Sequence, residues 1–137
     1  MTNNEDDFSQ LFNWEEQQLL LHGWYTHYVP NGKWINAHTH GIEEKFEHPD
    51  LQVVLALPPN TVSGLFHSAI ERIIAGHKLL PDQLHEGIIK GYPIKTHKSV
   101  EGDRSVLRII LPDKQGRFPG DPDCAPLFDN QEDIMVM

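Results

Sequence analysis

Residues 24–40, WYTHYVPNGKWINAHTH, constrain this chain more than any other stretch. Asn31-Gly32 lies between two β-like runs, and tight hairpin turns favour such pairs because they tolerate positive φ. With that pair as the loop, Pro30 faces Lys33, Val29 faces Trp34, His27 faces Asn36 and Tyr25 faces His38. Side chains alternate across a sheet, so Tyr25, His27, Asn36, His38 and His40 share one face. Trp24, Thr26, Tyr28, Ile35, Ala37 and Thr39 take the other. One face gathers imidazoles and the other is mostly apolar.

A chain of 137 residues fits one domain, and 39% apolar content supports one modest core. No apolar run approaches the roughly 20 residues that span a bilayer, so no membrane segment is expected. The opening MTNNEDDFSQ has no basic region followed by an apolar stretch, so no secretory signal is expected either. The single cysteine, Cys124, excludes an internal disulfide framework. Together these predict a cytoplasmic protein. Twenty acidic residues against 11 basic give a net charge of −9, which argues against nucleic-acid binding. The acidic residues concentrate at both ends, as solvated faces or as a surface that docks a protein partner.

Residues 1–8 are expected to be disordered, 9–131 to form one α+β domain and 132–137 an acidic C-terminal tail. Residues 10–21 read as a first helix with Leu11, Trp14 and Leu21 on one stripe and Gly23 as its stop. LQVVLAL, residues 51–57, reads as a buried strand bounded by Pro58-Pro59. The clearest helix spans 61–75, with Asn60 as N-cap and Gly76 as terminator. Its stripe is Val62, Leu65, Phe66, Ala69, Ile70, Ile73 and Ile74. A strand broken near Gly91 and Pro93, then a strong strand over 104–111, complete the pattern. The predicted class is α+β: a mostly antiparallel sheet of about five strands, packed by one long amphipathic helix and a shorter N-terminal helix. The Pro-rich segment after residue 111 is expected to strap across the sheet.

His38-Thr39-His40 is the sharpest local motif. Residues two apart on a strand share a side, so two imidazoles can converge on one ion, with His27 as a third ligand. Three protein ligands with an open position describe a catalytic site for a divalent metal such as zinc. Glu43, Glu44, Glu47 or His48 on the following loop can supply a fourth group. Alternatively the cluster is a polar face without metal, or His27, His38 and His48 perform acid–base work with Tyr25, Asn36, Thr39 and Arg108 holding a small-molecule substrate. A flat cofactor of flavin type between Trp34 and the sheet is a further possibility. Arg108 and Arg117 flank a turn at Asp113 to Gly116 and can hold an anion. Cys124 lies between Asp121, Asp123 and Ala125, where carboxylates raise a thiol pKa, so it reads as structural.

The order HGWYTHYVP, HTHGI, EHPDLQVVLAL, a helix ending at Gly76, and LRIILPDKQGRFPGDPDC followed by Gln131 resembles the bacterial domain-of-unknown-function family four-two-six-two. The resemblance runs over residues 20–131. It implies an aromatic-Thr-x-Gly-aliphatic element at His38 to Ile42, a His-Pro-acidic element at His48 to Asp50, and a Pro-Asp-x-x-Gly element at Pro112 to Gly116. His38 replaces the tyrosine that the resemblance leads one to expect, which moves attention to His22, Thr39, Gly41 and His48. The family carries no assigned activity. A small hydrolase with a histidine metal site, a protein-binding or inhibitory module, and a flavin-type binder are the functions left open.

Overall fold

The computed structural model describes residue 14 and residues 17–134. The expected disorder of 1–8, Leu11 of the first helix and residues 135–137 of the acidic tail lie outside the described residues. Helical residues 17–22 (α1) end at Gly23, whose N–H bonds the Leu19 carbonyl at 2.9 Å. There follow β1 (Tyr25–Asn31), β2 (Trp34–His40), α2 (Ile42–Phe46), β3 (Asp50–Val53), α3 (Pro59–Ile74), β4 (Leu84–Ile89), β5 (Tyr92–Glu101), β6 (Arg104–Ile110) and α4 (Pro126–Asp129).

The strands form one sheet in the order β1-β2-β3-β6-β5-β4. Strands β1 to β3 make one antiparallel meander and β4 to β6 a second. The two join where β3 runs parallel to β6. The class is α+β as expected, but the sheet is six-stranded and mixed rather than mostly antiparallel with five strands. Two features of the chain explain the difference. Residues 84–101 fold as a hairpin about Lys90-Gly91 rather than one broken strand, which adds a strand. The α3 crossover returns the chain so that β6 lies alongside β3.

The hairpin register also differs. Asn31 pairs with Trp34, so the two loop residues are Gly32 and Lys33. Gly32 has φ of +65° while Lys33 has no positive φ, the pattern of a turn with glycine at its first central position. His27 therefore faces His38 and Tyr25 faces His40. The pairing slides by two residues, and a shift of two leaves every side chain on its face. The imidazole face survives intact.

Helix α3 begins at Pro59, two residues before the expected start, with Pro58 as cap. A first-turn N–H needs no helical partner, so proline is well suited there. Gly76, at φ +96°, ends the helix. Its N–H bonds Ile73 at 3.0 Å, and His77 N–H bonds Arg72 at 2.8 Å. Val62, Leu65, Phe66, Ala69, Ile70 and Ile73 are buried, but Ile74 is 60% exposed and falls off the stripe. They pack on Ile35, Ala37, Leu51, Val53, Ile94, Leu107 and Ile109.

The opposite sheet face is polar. One row crosses five strands as His27, His38, Gln52, Arg108 and His97. The C-terminal segment returns over its centre. Gln131 is fully buried; it accepts from Leu111 N–H at 2.9 Å and donates to Leu111 O at 2.7 Å. The Arg108 guanidinium donates to the carbonyls of Gln131 and Ile134, each at 2.8 Å. Before that segment, the Asp113 carboxylate gathers the chain. It accepts from the N–H groups of Gln115, Arg117 and Ala125 and from Arg117 Nε. Burial alone would raise its pKa, but the donors from Ala125, Arg117 and Gln115 outweigh it and hold the carboxyl at about 2.

Phe66→Ala is expected to lower the unfolding free energy by about 3–5 kcal/mol in denaturant titrations, and Ile74→Ala to leave it nearly unchanged. Asp113 has a depressed pKa in the fold, so its contribution is present above the unfolded carboxyl pKa and is lost as pH falls through about 2. The stability gap between wild type and Asp113→Asn should be widest above about pH 4 and close toward pH 2. A gap that does not change over that range would remove Asp113 from the account.

Candidate metal centre on the hairpin

The hairpin brings three imidazoles together. One nitrogen from each of His27, His38 and His40 lies within 4.8 Å of the others. The ring centroids are 5.5 Å apart for His27–His38, 4.8 Å for His27–His40 and 4.9 Å for His38–His40. Tyr25 stacks on His40 at 5.2 Å and meets His27 edge-on at 5.2 Å. His38 is 3% exposed, while His27 and His40 are half-buried. The cluster thus grades from interior to surface, and His40 and Tyr25 line a cleft of about 450 Å³ with Lys45 and Arg104.

Asn36 fixes the His38 ring: its Oδ1 lies 2.9 Å from Nδ1. An oxygen there accepts, so in the neutral ring Nδ1 carries the proton and Nε2 holds the lone pair. Burial pushes the His38 pKa down to about 4; Glu101 opposes that, and His40, Arg104 and His27 add to it. Burial, then Arg104 and His27, lower His40 as well. Both shifts favour the neutral ring, which is the form that ligates a metal.

Three residues that sequence reasoning did not single out frame this cluster. The Nε2 of His38 lies 3.5 Å from Oε1 of Glu101, at the end of β5. Arg104, at the start of β6, donates from Nε to Oε2 of Glu101 at 2.8 Å, from Nη1 to Asp50 at 3.1 Å and from Nη2 to the Thr39 carbonyl at 2.7 Å. Burial would raise the Glu101 pKa, but the Arg104 hydrogen bond and His38 outweigh it, so the carboxylate is ionised. Glu101 and Arg104 flank the β5–β6 turn, and no local pattern announces that this turn comes to rest beside β2, because that depends on the parallel β3–β6 junction.

The structure puts other expected site residues to different uses. Thr39 is buried on the core side, donates to Asp50 at 2.7 Å and accepts from Leu51 N–H. His48 is buried with Nδ1 on the Pro49 carbonyl and Nε2 on Leu79 N–H, pinning two loops. Arg108 donates four hydrogen bonds, to Gln52, Ser99, Gln131 and Ile134, and so helps hold the C-terminal segment on the sheet. Arg117 pairs with Asp113. Cys124 is half-buried, and burial first, then Asp113, Asp129 and Asp121, raise its thiol pKa. It is not an activated nucleophile.

The element at His38 to Ile42 joins the one at His48 to Asp50 in a single corner. Asp50 accepts from Thr39 and, at 3.0 Å, from Ile42 N–H. Gly41 has φ of +104°, and a Cβ there would stand 2.3 Å from the Gly23 carbonyl oxygen. The glycine lets the end of β2 pass against the residue that stops α1.

Fold and site together define an α+β protein with a histidine cluster on the polar face of a mixed sheet. The chain belongs to the family Domain of unknown function (DUF4262), whose model matches residues 18–105. Comparison with curated proteins and with solved structures returned no match. Among the described residues, no helix is long and apolar enough to cross a membrane.

Gly41→Ala adds both a disfavoured φ and a backbone clash, so it should cost about 1–3 kcal/mol or more. Thermal melts beside Gly32→Ala, where the added Cβ meets nothing within 4 Å, separate the clash from the φ penalty. Equal losses in the two variants would show that the close approach to Gly23 carries no weight.

Proposed function

We propose that this protein binds a first-row divalent metal, zinc being the reference case, through His27, His38 and His40, and that it acts as a small hydrolase. The observation that carries the reading is the convergence of three imidazole nitrogens within 4.8 Å. A tetrahedral ion with Zn–N bonds of 2.0–2.1 Å needs ligand nitrogens about 3.3 Å apart. Small side-chain rotations close that gap. The second support is the fixed ring of His38, since ligating histidines commonly bond a partner through the other nitrogen. The third is local charge: Glu101 and Asp50 against Arg104 leave one net negative charge beside the cluster.

A bound ion would act as a Lewis acid that lowers the pKa of a coordinated water. The chain's own residues do the rest. Asn36 orients His38, and Tyr25 packs beside His40 and His27 at the mouth of the cleft. A substrate of small size enters between Tyr25, Lys45 and Arg104.

Elemental analysis of untagged protein purified without chelators tests the reading, with His38→Ala/His40→Ala beside it. About one metal per chain in wild type, lost in a variant that keeps its circular dichroism, is expected. Wild type that is metal-free and unshifted in melting temperature by added zinc would leave the histidines as a polar face.

A further inference from the structure

We infer that Glu101 is the fourth protein ligand of this centre, so that the metal ties the β1–β2 hairpin to the β5–β6 hairpin. The inference rests on the metal reading above and adds a ligand from the other half of the sheet. Its first ground is a distance. Nδ1 of His38 is taken by Asn36, which leaves Nε2 as the nitrogen open to an ion, and Oε1 of Glu101 lies 3.5 Å from it. The separation is close to the roughly 3.3 Å between two ligands of one tetrahedral ion.

The second ground is how the carboxylate is held. Arg104 grips Oε2 at 2.8 Å and is itself anchored on Asp50 and the Thr39 carbonyl. One oxygen is fixed, and the other is left directed at His38. Arg104 is thus a positioning residue.

Three imidazoles and one carboxylate have a chemical consequence. They fill a tetrahedral ion, whereas a metal that takes five or six ligands keeps positions for water and substrate. The hydrolase reading then needs a fifth position for water, which zinc supplies by expanding to five-coordinate and cobalt or nickel take more readily.

Titration calorimetry with Zn²⁺ and with Co²⁺ on the full chain tests this, with Glu101→Gln and Glu101→Asp as variants. Glu101→Gln is expected to lose about 10–100-fold in affinity for both ions. The visible spectrum of the Co²⁺ form should change in the same variant. Glu101→Asp keeps the charge beside Arg104 and shortens the reach, so it covers the case in which Glu101→Gln does not fold; the same loss is expected. Wild-type affinity and an unchanged Co²⁺ spectrum in either folded variant would overturn the role of Glu101 while leaving the three-histidine site standing. A wild-type chain that binds neither ion would overturn the site itself.

Discussion

The Asp50 carboxylate is the constraint on which the arrangement around the site depends. Its side chain is 3% exposed, and it accepts from Thr39 Oγ1, Ile42 N–H and Arg104. Those three donors come from the end of β2, the start of α2 and the start of β6. A buried carboxylate stripped of its partners costs about 3–5 kcal/mol, so the three segments are held to one geometry. Arg104 then transmits that geometry to Glu101, and Glu101 faces His38. The histidine cluster on the hairpin is thus held in part from Asp50, on the next strand.

The histidine face was legible because side-chain direction in a strand depends only on parity. Placing the loop at Asn31-Gly32 instead of Gly32-Lys33 moved each pair by two, and an even slide conserves the face. The α3 stripe was legible for a similar reason, its period being independent of where the helix starts. Its first turn was missed because Pro58-Pro59 reads equally as the end of a strand. Asp50 was legible only as the end of a His-Pro-acidic element, and its link through Arg104 to Glu101 was not legible. Asp50 and Arg104 are separated by 54 positions, and no local pattern announces a parallel pairing across that distance. For His48 and Arg108 residue type suggests chemistry, and only the fold shows the backbone and side-chain partners that burial gives each.

The polar row explains why the site lies where it does. A sheet that places Gln52, Arg108 and Ser99 on one face must satisfy each of them or lose stability. Among the described residues no buried side-chain nitrogen or oxygen lacks a partner. At the centre of the sheet the C-terminal segment supplies those partners, through the carbonyls of Gln131 and Ile134 on Arg108. That segment lies beyond the residues matched by the family model, which stop at 105, one position into β6. The elements that seal the face and the elements that carry the histidines thus come from different parts of the chain.

Burial falls along the row from Arg108, at 2% exposed, through His38 to the half-buried His27. The same alternation that makes one face polar therefore does two kinds of work. Where the strap covers it, polar side chains are spent on one another and on backbone, and the face is structural. At the β1–β2 end the imidazoles cluster beside a cleft that His40 and Tyr25 line. The fold by itself does not select a function. What distinguishes the two ends of the row is burial: the strap covers the centre, and three imidazole nitrogens lie within 4.8 Å of one another at the more exposed end.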